Sequence, residues 1–295
     1  MTIVYFAGLG SMGLGMALSC LRAGHQVYGY DPTPEQVASL VAAGGHALDP
    51  TSPTAQIAVS VVLNADQTRA ALFGPEGLAA RLAPGGVLIS CATVAPAFAR
   101  EMEAEARAMG LHYLDAPISG GSVKAAAGKL SIMASGSADA FAAAQPALDA
   151  MAATVFALGD QAGAGSAMKA VNQLLAGVHI AAMAEAMTFG MTQGITPDSF
   201  LRVISQCAGT SWMLENRAPH IVAGDYTPHS QVNIWPKDLG IVLEIARDAG
   251  FPAPITAAAL GQYLAAADMG LGREDDAAVA KVYARAAGLS LPGEA

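Results

Sequence analysis

Charged side chains make up only 13% of this 295-residue chain and aromatic side chains only 6%. Since 53% of the residues are apolar, the chain can bury a large core, which excludes an intrinsically disordered protein. Basic residues are also few, with 15 Lys and Arg against 24 Asp and Glu and a net charge of −9 at pH 7. This balance excludes a general electrostatic attraction for nucleic acid or for an anionic membrane. An anionic ligand must therefore be held by local cations.

The chain has only three cysteines, and Cys20, Cys91 and Cys207 form neither a CxxC pair nor a zinc-binding spacing. We expect reduced, buried thiols in a cytoplasmic protein, and no metal site. No basic segment precedes the first apolar run, so we expect no signal peptide. The longest apolar stretch, residues 166–190, contains polar side chains that are costly in lipid and therefore predicts a buried helix of a soluble protein. Those side chains belong to Lys169, Asn172, Gln173, His179 and Glu185.

Short β-like runs alternate with helical patterns over the first half of the chain, which predicts βαβ units around a parallel sheet. The runs are continuously apolar, as in strands that are covered on both faces. The predicted strands are 3–7, 26–30, 57–63, 87–91, 112–115, 130–134 and 154–157. The predicted helices between them are 12–23, 34–43, 65–72, 95–109 and 138–151.

Only helical patterns follow residue 163, which predicts an all-α second half. The length allows two domains, and we expect an α/β domain at 1–163 and an all-helical domain at 164–295 that begins with a long interdomain helix. We expect the first to bind a cofactor and the second to serve substrate binding and oligomerisation. The predicted helices are 166–193, 197–206, 212–223, 237–249, 253–269 and 275–287.

A glycine-rich motif follows the first predicted strand directly and opens a helix. Its residues are Gly8, Leu9, Gly10, Ser11, Met12 and Gly13. In this GxGxxG spacing the first glycine permits a tight turn, the second admits a pyrophosphate close to the backbone, and the third allows close packing of helix on strand. The context favours a Rossmann-type, doubly wound domain that binds a dinucleotide, although a plain strand-to-helix connection can have the same glycines.

Asp31 ends the second predicted strand, 18 residues after Gly13. A carboxylate at this place binds the hydroxyl groups of the adenosine ribose and repels a 2′-phosphate, so NAD is favoured over NADP. No arginine follows that would neutralise such a phosphate. An Asp before Pro32 is also a common opener of a turn.

The helix predicted from Ser166 carries Lys169, Asn172 and Gln173 on one face. Burial can lower the pKa of a lysine, and an unprotonated amine can exchange a proton with an alcohol. A single helical lysine is more often solvated, so the face alone proves little. The loop of Ser119, Gly120 and Gly121 after a strand can present backbone N–H groups to a carboxylate, or it is a turn. Lys237 either reaches an anion or lies at the surface.

Four segments occur together in one order, namely GLGSMG from residue 8, DAPISGG from 115, GSAMKAVNQ from 165 and WPKDLG from 235. Together they resemble the motifs of the β-hydroxyacid dehydrogenase family, which includes the 3-hydroxyisobutyrate dehydrogenases, over nearly the whole chain. The resemblance implies an NAD-dependent hydroxyacid dehydrogenase. The segments QLLAGVHIAA, TSWMLENR and GDYTPHS are most similar to the branch that oxidises L-threonate to its 2-oxo acid.

The resemblance also implies roles for individual residues. Lys169 matches the catalytic lysine, and Thr93, Leu63 and Asn64 match residues that line the cofactor. Lys237 matches a lysine that reaches both the cofactor and the substrate. The residues that match the substrate site are Ser119, Gly120, Gly121, Asn172 and Gln173.

The chain departs from the family pattern at Gln173, where many members have a second asparagine, and at Ser90 and Ala92 before Thr93. These departures leave substrate size open. The alternatives are a tartronate semialdehyde reductase, a 3-hydroxyisobutyrate dehydrogenase or, in another class, a catalytically silent NAD-binding interaction module. Apolar helices in the second half predict more hydrophobic surface than one small domain covers, and hence a homodimer or homotetramer.

Overall fold

The computed structural model describes residues 1–294, which fall into two compact units, Met1–Lys169 and Ala170–Ala295. We call them the N-terminal unit and the C-terminal unit. The division after Lys169 falls within the first turns of the long helix whose start was the predicted domain boundary. Each unit has a hydrophobic core of its own.

The N-terminal unit is built around a parallel six-stranded sheet with the order β3-β2-β1-β4-β5-β6. Its strands are β1 Ile3–Ala7, β2 Gln26–Tyr30, β3 His46–Ala47, β4 Ala55–Ser60, β5 Leu82–Ser90 and β6 His112–Asp115. A second sheet contains β7 Ile118–Ser119, β8 Leu130–Ala134 and β9 Ala152–Ala157, in which β7 is antiparallel to β8 and β9 is parallel to it. The strand order is that of a doubly wound, Rossmann-type sheet, as predicted.

Helices cover both faces of the large sheet, so that alternate residues of a strand enter different cores. Along β1, Val4 and Phe6 belong to one core and Tyr5 and Ala7 to another, and all four are buried. The predicted continuous apolar runs are thereby explained. The helices are α1 Gly13–Arg22, α2 Pro34–Ala42, α3 Ala65–Phe73, α4 Pro96–Ala108, α5 Gly121–Ala126, α6 Ala138–Met151 and the first turns of α7 Ala164–Thr192.

Several short elements of this unit escaped prediction. Strands β3 and β7 have two residues each and helix α5 has six, which is too short for a hydrophobic period to appear in the sequence. Strand β9 lies at an edge and is largely exposed or half-buried, so it is not covered on both faces as expected.

The C-terminal unit is all-helical, as predicted, and within residues 170–294 the only β-type pairing is an isolated bridge between Gln231 and Asp275. Besides the remainder of α7, its helices are α8 Pro197–Ile204, α9 Trp212–Ala223, α10 Ile234–Asp248, α11 Pro254–Ala266 and α12 Ala280–Ala286. Helix α10 begins three residues before its predicted start. Pro236 is tolerated there because the N–H groups of a first helical turn have no intrahelical partner.

Two adjacent carboxylates hold the core of the C-terminal unit together. Asp276 forms an ion pair with Arg217 and accepts a hydrogen bond from the indole of Trp235 at 3.0 Å. Asp275 bonds to the His220 ring at 2.9 Å and to the backbone N–H of His229 at 2.9 Å. Burial opposes ionisation of Asp275, but these bonds outweigh it and lower its pKa to about 2. These hydrogen bonds and the ion pair take the place of water around the two buried carboxylates.

Helix α7 has 29 residues and is long and apolar enough to cross a membrane by length and composition alone. In its most apolar window, with a mean hydropathy of 1.4, 44% of the residues are buried inside the protein. The helix is therefore less buried than the sequence predicted. The exposed apolar side chains along it belong to Met168, Val171, Leu175 and Phe189.

The three cysteines are free thiols, and Cys20 and Cys91 are buried as expected, which raises the pKa of each to about 12. Cys207 is exposed, so its predicted burial is wrong. It follows the end of α8, in a turn where the chain leaves the core.

A buried carboxylate at the end of β6 fixes the start of α7. Asp115 accepts hydrogen bonds from the backbone N–H groups of Gly163 at 2.9 Å and Ser166 at 2.8 Å, and from the Ser166 hydroxyl at 2.7 Å. The Ser135 hydroxyl lies 3.2 Å from the same carboxylate and accepts the N–H of Gly165. The first N–H groups of a helix lack intrahelical partners, and Asp115 supplies them with an acceptor and a negative charge.

We predict that Asp115→Ala lowers the free energy of unfolding by about 3 kcal/mol, since it leaves two N–H groups and a hydroxyl without their buried acceptor. Asp115→Asn should keep most of that stability, because an amide oxygen can accept the two N–H groups while its NH2 donates to Ser166. Urea denaturation followed by circular dichroism measures both variants. An Asn variant as unstable as the Ala variant would contradict this account.

The natural protein and the Asp115→Asn variant can also be compared as a function of pH. Burial raises the pKa of Asp115 despite its hydrogen bonds, so the folded state binds the proton more tightly than the unfolded state does. The stability that this proton contributes is present at low pH and is lost as pH rises through the raised pKa. Asp115→Asn does not titrate. Its stability relative to the natural protein should therefore increase as pH rises from about 4 through the raised pKa of Asp115.

Candidate active site

Five parallel strands end at the same level of the large sheet. In the register of the sheet, Ala7 is paired with Tyr30 and with Ser60, Ser60 with Ser90, and Ser90 with Asp115. The loops that follow these residues therefore leave from one edge. In doubly wound sheets, ligands bind outside this carboxyl edge.

The glycine-rich loop after β1 has the geometry that a pyrophosphate requires. Gly8 has a φ of +93°, and a Cβ atom at this position would lie 2.2 Å from the carbonyl oxygen of Val61. A Cβ at Gly13 would lie 2.0 Å from the oxygen of Gly8, so helix and loop are in direct contact there. A Cβ at Gly10 would meet no atom within 4 Å. The loop thus leaves open space at its middle glycine, as a dinucleotide needs, and the residues present fit NAD.

Asp31 joins the ends of the first two strands. Its carboxylate accepts the backbone N–H of Leu9 at 2.7 Å through Oδ2 and that of Thr33 at 2.9 Å through Oδ1. Each carboxylate oxygen has a second lone pair that can accept a ribose hydroxyl. Asp31 therefore opens a turn and also orders the glycine loop, so the two readings of this residue from the sequence are compatible.

The next two loops contain Leu63, Asn64 and Thr93. Leu63 exposes 59% of its surface, and its N–H donates to the Gln67 side chain at 2.9 Å. Asn64 caps α3, because its side chain accepts the N–H of Gln67 at 2.9 Å. Thr93 is half-buried in the loop after β5. These loops follow β4 and β5 at the edge described above, and the Asn64 side chain is engaged in the cap of α3.

The predicted substrate loop consists of Ser119, the last residue of β7, and of Gly120 and Gly121, which lead into α5. Gly120 has a φ of +136° and Gly121 a φ of +74°, conformations that few other residues adopt. A Cβ at Gly120 would lie 2.9 Å from the Cδ atom of Lys124. The loop then opens α5, so its N–H groups belong to a tight, glycine-dependent turn.

Lys169 lies against this loop. Its side chain is only 8% exposed, and its Nζ atom donates to the carbonyl oxygen of Ile118, the residue before Ser119, at 2.9 Å. The hydrogen bonds of Asp115 fix α7 three residues earlier, at Ser166. The N-terminal unit alone therefore brings the predicted catalytic amine to the predicted substrate loop.

Helix α1, which follows the glycine loop, also packs against α5. A Cβ at Gly15 would lie 2.7 Å from the backbone nitrogen of Ala126, and the Ser19 hydroxyl is within hydrogen-bond distance of the carbonyl oxygen of Ala125, at 3.1 Å. Since α1 and α5 carry the glycine loop and the predicted substrate loop at their N-termini, this contact fixes the distance between the two loops.

In the C-terminal unit, Asn172, Gln173 and Lys237 are joined through Asp238. The Asn172 amide donates to Gln173 Oε1 at 2.9 Å, and Gln173 Nε2 donates to Asp238 Oδ2. The Lys237 ammonium lies 2.7 Å from Asp238 Oδ1. Asp238 and Gln173 are buried. Asp238 lies in the WPKDLG segment, but the sequence analysis assigned it no role.

The sequence analysis also missed Asp115 and Gly15. Asp115 is visible as an acid that ends a buried strand, which is an unusual place for a charge. Its hydrogen-bond partners at residues 163–166 are distant in the chain, so no local sequence pattern connects them with Asp115. Within residues 1–294, no group of three or more His, Cys, Asp or Glu side chains is placed to hold a metal ion.

Two family models match the chain. Residues 3–159 match the NAD-binding domain of 6-phosphogluconate dehydrogenase, and residues 163–283 match the NAD-binding domain of NADP-dependent 3-hydroxyisobutyrate dehydrogenase. L-threonate dehydrogenase of Cupriavidus necator is 47% identical over 293 residues, which cover 98% of this chain and 97% of that protein. The 3-hydroxyisobutyrate dehydrogenase of Pseudomonas aeruginosa is 36% identical over 269 residues, with 88% and 90% covered.

Among solved structures, a 3-hydroxyisobutyrate dehydrogenase from Salmonella typhimurium is 45% identical and superposes with a TM-score of 0.90, covering 96% of this chain and 100% of that one. The matched models, the relatives and the geometry agree on the enzyme class and on NAD as the cofactor. The chain belongs to the β-hydroxyacid dehydrogenase family and is an NAD-dependent hydroxyacid dehydrogenase.

Proposed function

We propose that the protein oxidises L-threonate at the carbon next to its carboxylate, forming the 2-oxo acid while NAD is reduced. The observation that carries the proposal is the buried Lys169 amine, 2.9 Å from the backbone of the loop that precedes Ser119. The choice of L-threonate is supported by the relatives that act on it, which are 43–47% identical over at least 97% of this chain.

The backbone N–H groups of Ser119, Gly120 and Gly121 hold the substrate carboxylate in this proposal, together with the Lys237 ammonium. Local N–H groups and one cation suit a chain whose net charge of −9 repels anions in general. The Asn172 amide completes the substrate site, and Gln173 belongs to that site through its hydrogen bond to Asn172.

Lys169 accepts the proton of the substrate hydroxyl through Nζ while hydride leaves the adjacent carbon. Burial favours the neutral form of an amine, which is the form that can accept a proton. NAD, when bound, supplies the hydride acceptor. The Ile118 carbonyl oxygen orients Nζ, so the amine does not have to be ordered during the reaction.

For the cofactor, Gly8, Leu9, Gly10, Ser11, Met12 and Gly13 form the pyrophosphate loop and Asp31 binds the adenosine ribose. The exposed Leu63 side chain and the backbone at Asn64 line the cofactor, and Thr93 lies beside the nicotinamide ribose. Lys237 contacts both ligands. The substrate is a small anionic hydroxy acid, and we propose that the enzyme works in the cytoplasm, where its free thiols stay reduced.

The rival substrates are 3-hydroxyisobutyrate and, in the reverse direction, tartronate semialdehyde. The first is supported by the 3-hydroxyisobutyrate dehydrogenase of Pseudomonas aeruginosa at 36% identity and by the solved Salmonella typhimurium structure of that name at 45%. A panel of three- to five-carbon hydroxy acids, assayed by NADH formation, separates the substrates. The buried Lys169 amine beside Ser119 favours an enzyme over a catalytically silent NAD-binding module, because such a module does not need a proton acceptor.

We predict that Lys169→Met lowers kcat by about 10³-fold, because the hydroxyl proton loses its acceptor. Calorimetric titration should give an unchanged affinity for NAD, since the glycine loop is untouched. Lys129→Met, at an exposed lysine of the same unit, is the matched control and should keep normal turnover. Near-normal turnover of the Lys169 variant would contradict the assignment.

We predict that Asp31→Asn raises kcat/KM for NADP relative to NAD at least about tenfold, since the charge that repels a 2′-phosphate is removed. The amide oxygen still accepts the Leu9 N–H, so the loop keeps its shape. Steady-state kinetics with both cofactors measures the ratio. An unchanged ratio would show that Asp31 only orders the turn.

We also propose a homodimer or homotetramer formed through the helical half. Val171, Leu175 and Phe189 expose apolar surface along α7, and Ile255 and Leu264 do so on α11. Such surface on two helices of one small unit is typical of an interface between subunits.

Leu175→Asp should shift the protein to a smaller species in light scattering, because a charge in an apolar interface is not compensated. Val41→Asp is the matched control, since Val41 on α2 is 47% exposed and Leu175 is 49% exposed. A natural protein that is monomeric at micromolar concentration would refute the oligomer.

A further inference from the structure

We propose that Gln173 and Asp238 are positioning residues that fix the orientation of the Asn172 amide, so that its oxygen faces the substrate and selects acids with a second hydroxyl group. The inference rests on the proposed function and narrows the substrate class of that site. It is carried by a chain of hydrogen bonds within the C-terminal unit.

The chain of hydrogen bonds has a direction that is set at Asp238. A carboxylate only accepts hydrogen bonds, so Gln173 must turn its NH2 group towards Asp238 Oδ2. The other end of the Gln173 amide, Oε1, then faces Asn172 and accepts its NH2 group at 2.9 Å. Asn172 is left to present Oδ1, a hydrogen-bond acceptor, on its remaining side.

Close packing of α7 on α10 makes this chain of bonds possible. A Cβ at Gly177, one turn after Gln173, would lie 2.9 Å from both Leu239, which follows Asp238, and Trp235, which lies three residues before it. The Tyr263 hydroxyl of α11 bonds to the Gly177 carbonyl oxygen at 2.8 Å. A side chain at residue 177 would separate the two helices at this place.

The length of the Gln173 side chain also makes this chain of hydrogen bonds possible. Its side chain bonds at one end to Asp238 on α10 and at the other to Asn172 on its own helix. An asparagine at this position, as in many family members, is shorter by one methylene group. The departure from the family pattern is thus what allows both bonds to form from one amide.

An oriented acceptor at Asn172 discriminates between substrates. The hydroxyl that is oxidised gives its only proton to Lys169 in the proposed reaction. Oδ1 must therefore take its hydrogen bond from another O–H group of the substrate. A site built to bond a hydroxyl disfavours an analogue without it, because the half-buried Asn172 acceptor then loses its partner. L-threonate has two further hydroxyl groups, whereas 3-hydroxyisobutyrate has none.

The experiment compares kcat/KM for L-threonate with its 3-deoxy and 4-deoxy analogues. The natural enzyme should prefer L-threonate to at least one of them by a factor of ten or more. Gln173→Met, of similar length but without hydrogen bonds, should lower that preference at least about fivefold by releasing the Asn172 amide. Gln193→Met, at an exposed glutamine just after α7, is the matched control and should keep it.

Asp238→Asn is a second variant of unchanged size, and thermal unfolding is measured for all variants. An asparagine at this position can turn either its oxygen or its NH2 group towards Gln173. The hydrogen bonds then no longer fix the orientation of the Gln173 and Asn172 amides, and the preference for L-threonate should again fall. A merely structural role of either residue lowers the rates with all three acids equally and leaves the ratio unchanged, which would overturn the inference. An Asn172 that bonds only to Lys169 would give the same unchanged ratio.

The outcomes also separate this inference from the proposed function. Oxidation of L-threonate with a ratio that no variant changes overturns the inference alone. An enzyme that oxidises none of the three acids but oxidises another acid of the panel overturns the choice of L-threonate and, with it, the substrate class inferred here.

Discussion

The arrangement of the N-terminal unit depends on one buried carboxylate. Asp115 ends the last strand of the sheet and accepts the N–H groups at the start of α7, and three residues after Ser166 the same helix carries Lys169. A carboxylate at this depth is costly, and burial raises its pKa. The hydrogen bonds offset that cost and fix where the helix begins. A displaced helix start would move the amine away from the Ile118 carbonyl oxygen.

The glycine loop and the predicted substrate loop are held in place by close backbone contacts and not by charged groups. Gly8 and Gly13 let α1 meet the sheet, and Gly15 lets it meet α5. Each of these positions requires glycine, because a Cβ atom there would overlap with a neighbouring backbone atom. In the proposed site, a chain with so few cations would bind two anionic ligands mainly through N–H groups, which carry no net charge and need no counterion. The acidic balance of the sequence is compatible with anionic ligands for this reason.

The features that sequence could predict are those with a local signature. The glycine loop, the strand ends, α6 and α9 follow from spacing and capping over a few residues, whereas the role expected of Lys169 rests on a resemblance to a family motif. The features that it could not predict depend on pairs far apart in the chain. Asp115 and Gly163 are separated by 48 positions and Gln173 and Asp238 by 65, and no periodicity links them. Strands of two residues and an exposed Cys207 are equally invisible, since tertiary packing alone decides them.

The hydrogen bonds between β6 and α7 close a long loop, because α5, β8, α6 and β9 all lie between Asp115 and Gly163. Loop closure of this length is costly in entropy and becomes favourable only once the intervening elements have packed. On a ribosome, the glycine loop can therefore form long before the amine has a place to dock. Within the N-terminal unit, the start of α7 and the Lys169 amine that it carries would therefore be among the last parts to reach their final positions.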